Sequence, residues 1–143
     1  MTTIILTIIG ILLAAAAALM VVFYGGSAFE DGSTGAAANT LQNAGTNVIT
    51  AHSMYKMSEA GSAANLADLT PVYLSEVPSV AGLGTASTDI STGYYEVTGV
   101  TAEVCDAVNE NLGLGATPAT RPATAKMGCY NDATTGQTFF AKL

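Results

Sequence analysis

The chain has 143 residues, half of them apolar and only a tenth charged, and eleven acids against four bases give a formal charge of −7. Binding to nucleic acid through phosphate neutralisation is excluded, because it needs clustered Lys and Arg. A mean hydropathy of +0.42 excludes a disordered chain.

Every charged residue lies at or beyond Glu30, and the first base is Lys56. Ahead of them, Ile4 to Tyr24 is a run of twenty-one uncharged residues in which only Thr7 and Gly10 interrupt the apolar series. At ~1.5 Å per residue a helix of that length reaches about 32 Å, close to the ~30 Å hydrocarbon core of a bilayer. A soluble domain would have to bury such a helix on every side, and the rest of the chain is too short to wrap it. A cleavable secretory signal fits poorly, since Met1, Thr2 and Thr3 supply no basic flank and the apolar stretch is too long. The missing basic flank suggests that a short charged leader has been removed ahead of Met1.

From Gly25 to Gly35 the chain carries Gly25, Gly26, Gly32 and Gly35 together with its first charges, and this stretch is expected to break the helix. Helical spacing returns with Leu41, Ala44, Val48, Ala51 and Tyr55, which form one stripe of an amphipathic helix from about Ala36 to Glu59. Asn65 to Leu69 makes one helical turn that must end near Pro71. The aromatic and β-branched stretch Gly93 to Val100 predicts a strand. Thr101 resembles an N-cap with Glu103 in the first turn, Val104, Ala107, Val108 and Leu112 form a stripe, and Gly113 is a stop. Lys126 to Tyr130 and Gln137 to Lys142 are strand candidates separated by a turn-rich segment. The fold class is therefore α+β, with a long N-terminal helix, apolar in its first half and amphipathic in its second, packed on a small antiparallel sheet.

Cys105 and Cys129 flank a loop that contains Gly113, Gly115, Pro118 and Pro122. Outside the cytoplasm they would pair; the alternative is two buried thiols. Neither has a second thiol or a histidine at ligand spacing, so a metal site is the weaker reading.

An uncharged helix opening at Met1, an amphipathic continuation, a small sheet and a late cysteine pair resemble a mature type IV pilin. Gly99 to Cys105, followed by Asn109 to Gly113, is similar to the region around the first cysteine of type IVb pilins. The resemblance implies an inner-membrane precursor, leader removal and N-methylation at Met1 by a prepilin peptidase. It also implies assembly by a pilus machinery into an extracellular helical filament of many copies. Residues 1–24 would then be the membrane-spanning and filament-core helix, 25–35 a glycine-rich break, and 36–143 the globular head with the second half of the long helix. Ile5 stands where the family usually has Glu. Helix packing would accordingly rest on Ile5, Ile9, Gly10, Ala14, Ala16 and Leu19, with the small residues admitting close approach.

Nothing in the chain points to catalysis. His52 is the only histidine and sits beside the apolar stripe, where a surface or interface role is expected. Asp68, Glu76, Asp89 and Asp132 have no EF-hand spacing, and no glycine-rich stretch carries a phosphate-loop lysine. The reading is a structural, filament-forming subunit without cofactor, metal or nucleic-acid partner. The alternatives are a single-span anchored extracytoplasmic binding protein and a minor pilin or pseudopilin.

Overall fold

A computed structural model describes residues 2–143, in the order α1 (Thr2–Glu59), α2 (Leu66–Leu69), β1 (Thr85–Ala86), β2 (Tyr94–Thr98), α3 (Ala102–Asn111), β3 (Met127–Asp132) and β4 (Gly136–Lys142). The chain divides into two units, Met1–Ser33 and Thr34–Leu143.

Contrary to the expected break at Gly25 to Gly35, the backbone is helical through Gly25, Gly26, Gly32 and Gly35. None of Gly25, Gly32 and Gly35 takes the left-handed conformation that would end a helix, and a Cβ at any of the three would meet open space. Glycine costs about 1 kcal/mol per position relative to alanine, which weakens a helix without opening it. Once the apolar run on one side and the Ala36 to Ala38 run on the other are helical, each intervening residue still gains its backbone hydrogen bond. The helix ends after Glu59, where Ala60 turns into the left-handed region at φ 51°.

Within Thr34–Leu143, α1 forms one side of the core. Leu41, Ala44, Val48 and Ala51 of the expected stripe are buried together with Ala38, and Tyr55 packs half-buried against them. Four strands in the order β1-β2-β4-β3 make an antiparallel sheet. Register pairs Tyr95 with Ala141 and Val97 with Phe139 on one side of β4, and Met127 with Ala141 and Cys129 with Phe139 on the other. Paired residues share a face, so Tyr95, Val97, Phe139 and Ala141, all fully buried, line the side toward α1. A Cβ on Gly45 of α1 would meet Met127 at 2.9 Å, Phe139 at 3.0 Å and Ala141 at 3.1 Å, which marks a close approach of helix to sheet.

Between helix and sheet, the Asp68 carboxylate accepts from the backbone N–H of Ala64 and Asn65 at 3.0 and 2.9 Å and so fixes the entry to α2. Leu66 and Leu69 enter the core, and Thr70, extended at ψ 146° ahead of Pro71, ends the turn where the proline requires it. Strand β1 has no counterpart in the sequence reading. Its two residues, Thr85 and Ala86, carry no periodic signal and are held by pairing with Thr98 and Val97. Gly84 admits this pairing, since a Cβ there would lie 2.6 Å from the Thr98 carbonyl oxygen.

The helix-to-sheet approach at Gly45 generates a prediction. Gly45→Leu should destabilise the head by about 1 to 3 kcal/mol despite its better helix propensity, because four heavy atoms must displace Phe139 and Ala141. Thermal unfolding of the detergent-solubilised chain, followed by near-UV circular dichroism, would show the lowered midpoint.

Candidate functional site

Two regions carry the residues singled out by the sequence. The first is the apolar part of α1. From Thr3 to Phe23 the helix is long and apolar enough to cross a membrane, and none of that surface is buried within the chain. Ile5 and Ile9 are 56% and 47% exposed and Leu19 is 59% exposed. Ala14 and Ala16 are exposed as well, and a Cβ at Gly10 would touch nothing. The chain thus brings these residues onto one helix but against no other part of itself. Met1, expected to be the methylated terminus, lies outside the described residues.

The second region is the end of the head closed by the cysteines. Thr101 caps α3 with its hydroxyl accepting from the Val104 N–H at 3.5 Å, and Gly113, at φ 69°, lets the chain turn away after the helix. Val104, Cys105, Val108 and Asn109 form the buried face. Leu112, expected on that stripe, is the C-cap residue after Asn111 and is 39% exposed. Cys105 and Cys129 are joined in a disulfide with a Cα–Cα distance of 5.4 Å. On a chain-entropy account, closing a loop of this size contributes roughly 3 to 4 kcal/mol.

Asn109, which the sequence reading assigned no role, does a second job beside the disulfide. Strand β3 is an edge strand, and the N–H and C=O of Cys129 point away from β4. The Asn109 carboxamide meets both, its Oδ1 accepting from the Cys129 N–H at 2.8 Å and its Nδ2 donating to the Cys129 carbonyl at 3.1 Å. The same Nδ2 donates to Thr117 Oγ1 at 3.1 Å, and Thr117 donates to Asp106 at 2.7 Å. Two residues further along β3, the Asn131 N–H donates to the Pro118 carbonyl at 2.8 Å. One side chain and one carbonyl therefore stand in for a missing fifth strand and close the edge to pairing with other chains. The sequence signal was available: Asn109 lies four residues after Cys105 on the apolar face of α3, where a polar residue requires a partner.

On the outer face of the sheet, Arg121 holds the loop down. Its guanidinium lies 3.2 Å from Glu96, and its Cζ is 3.9 Å from the centroid of the Tyr94 ring. Tyr130 donates to the same Glu96 carboxylate at 3.0 Å. Burial, then this hydrogen bond and the Glu96 charge, push the Tyr130 hydroxyl up to about 12, with Arg121 opposing. The shifted carboxylates, Asp89 and Asp132, are turn-formers. Hydrogen bonds from Ser91 lower Asp89, and the backbone N–H groups of Thr134 and Thr135 lower Asp132.

His52 corrects the expectation of a surface or interface residue, for it is only 3% exposed, on the buried face of α1. Its Nδ1 has no hydrogen-bond partner among the described residues. Burial, and secondarily the charge of Lys56 one turn along, lower its pKa from the ordinary histidine value. Among the described residues no nucleophile or carboxylate meets it in a hydrogen bond. Among the described residues no three His, Cys, Asp or Glu are grouped to hold a metal ion. The groove between α1 and the following segment, lined by Asn47, Thr50, Tyr73 and Glu76, is open. No protein-family model, no curated protein and no solved structure matches the chain.

Two outcomes follow from this geometry. Asn109→Leu should cost at least about 2 kcal/mol while leaving the disulfide intact, because two buried backbone groups lose their partners at once; chemical denaturation with thiol counting reads both. The second concerns acid. A neutral, buried His52 has a folded-state pKa below its unfolded one, so the unfolded chain takes up the proton first as pH falls. Stability contributed by neutral His52 is complete above the unfolded value and is lost as pH drops through it toward the lowered folded value. His52→Gln should therefore flatten the loss of stability between about pH 8 and about pH 5, the range in which histidine titrates. Equal pH slopes for the two proteins in thermal unfolding would contradict this.

Proposed function

We infer that the chain is a structural subunit that polymerises through its apolar N-terminal helix into an extracellular, type IV-like pilus. One observation carries the reading: a helical span of twenty-one residues, Thr3 to Phe23, is apolar enough to cross a membrane and is left unburied by the chain. Each large side chain in that run is worth roughly 1.5 to 3 kcal/mol on burial, so the helix must lie in lipid or among copies of itself. A disulfide-closed head with a masked sheet edge supports export and argues against association by strand addition. The subunit would reside in the inner membrane as a precursor, be processed by a prepilin peptidase, and enter the filament through an assembly machinery. A minor pilin or pseudopilin would share the fold and differ in abundance.

Without a carboxylate at position five, the proposed bundle has no buried Glu to hold an incoming N-terminus. Apolar contact sets that the helices associate but only loosely sets their axial register. Register would come from shape, with Gly10 and the Ala14 to Ala18 run allowing close helix approach.

Shearing cells and examining the supernatant tests the function. Long polymers containing this chain are expected, whereas a single-span anchored binding protein would stay with the membranes. In the same assay, Ala16→Leu should reduce filament yield well below that of Ile5→Val while both variants insert into membrane equally. Equal yields from equal membrane pools would remove small-residue packing as the source of register.

A further inference from the structure

Between α3 and β3 the chain contains a tandem four-residue repeat, Thr117-Pro118-Ala119-Thr120 followed by Arg121-Pro122-Ala123-Thr124. Exposure follows the same period. Thr117 and Pro118 are half-buried, Ala119 and Thr120 exposed, Arg121 and Pro122 half-buried, and Ala123 and Thr124 exposed. The first position of each repeat is the one tied inward. Thr117 bonds to Asp106 and Asn109, and Arg121 is stacked on Tyr94 and paired with Glu96. The fourth position, Thr120 or Thr124, is turned to solvent, and neither hydroxyl makes a hydrogen bond to any described residue.

The two prolines, with the anchors at Thr117 and Arg121, keep this segment out of helix and sheet and leave both threonines exposed. The residue before each threonine is alanine; Arg121, turned onto Tyr94, follows Thr120, and Thr124 lines an open groove with Lys126 and Lys142. Proline-spaced threonines in an irregular exported segment are the composition of O-linked glycan acceptors. An N-linked acceptor, Asn-x-Ser/Thr, occurs nowhere in the chain.

We propose that Thr120 and Thr124 are O-glycosylation sites, presented outward by the repeat. The threonine Oγ1 attacks the anomeric carbon of a sugar activated as a phosphate ester and supplied by a glycosyltransferase. The new bond joins that carbon to Oγ1, and the bond from the carbon to the phosphate oxygen breaks. Its electron pair leaves on the phosphate, and the hydroxyl proton passes to a base of the transferase. Nothing is oxidised or reduced. The proposal rests on export of the head, argued above, and is independent of polymerisation. Carbohydrate here would lie over the segment that masks β3 and would add hydrated bulk to a head with few charges.

The test is mass spectrometry of the full chain isolated from its native cell, with electron-based fragmentation to place any added mass and thiol counting on the same sample. Sugar-sized increments at Thr120 or Thr124 are expected. They should disappear from Thr120→Val/Thr124→Val and persist in Thr134→Val, which alters an exposed threonine outside the repeat. Mild alkaline treatment should eliminate the sugar from the native chain. A disulfide-bonded chain with both threonines unmodified, or with carbohydrate only elsewhere, overturns the proposal and leaves export standing. An unmodified chain with two free thiols overturns export and the proposal together.

Discussion

A helix surface that the chain cannot cover governs the rest of this molecule. Thr3 to Phe23 is apolar around its whole circumference, and the side chains of the large residues from Ile4 to Phe23 are between 47% and 75% exposed. Lipid offers such a helix a place where every backbone polar group is satisfied internally. A bundle of identical helices offers the same, with packing in place of solvation. In either setting the uncharged run explains why all charges begin at Glu30, since an acid or base in the run would have to be neutralised or paired.

The head resolves a different problem with little material. Its sheet has only four strands, so one long edge, β3, would otherwise lie open at the surface. The disulfide holds α3 beside that strand, and Asn109 converts proximity into hydrogen bonding. Neither device substitutes for the other. The covalent bond restricts the unfolded chain, while the carboxamide satisfies two groups whose exposure would invite a foreign strand. Gly128 completes the arrangement, because a Cβ there would come within 2.7 Å of Leu114 and 3.2 Å of Asn109 Oδ1.

Where the fold was legible in the sequence, the reason was periodicity. Leu41, Ala44, Val48 and Ala51 announced the buried face of α1, and the aromatic and β-branched run around Tyr95 and Val97 announced β2. Thr101 and Gly113 bracketed α3 because capping chemistry is local. What stayed hidden depends on contacts far along the chain. Strand β1 exists only through pairing with β2, and the burial of His52 is set by what packs on α1. Arg121 finds Glu96 and Tyr94, which precede it by 25 and 27 positions. The disulfide is legible as a possibility because only two cysteines exist, whereas the role of Asn109 depends on β3 being an edge strand.

The glycines at 25, 26, 32 and 35 show a limit of propensity arguments. Four glycines weaken the helix by about 4 kcal/mol in sum relative to alanine. Opening it instead would free N–H and C=O groups, each costing several kcal/mol wherever water is excluded. A continuous helix is therefore favoured beside lipid or within a bundle, and the glycine penalty is felt most where these residues meet water. The same stretch separates an apolar segment from a head that carries nearly all the charge.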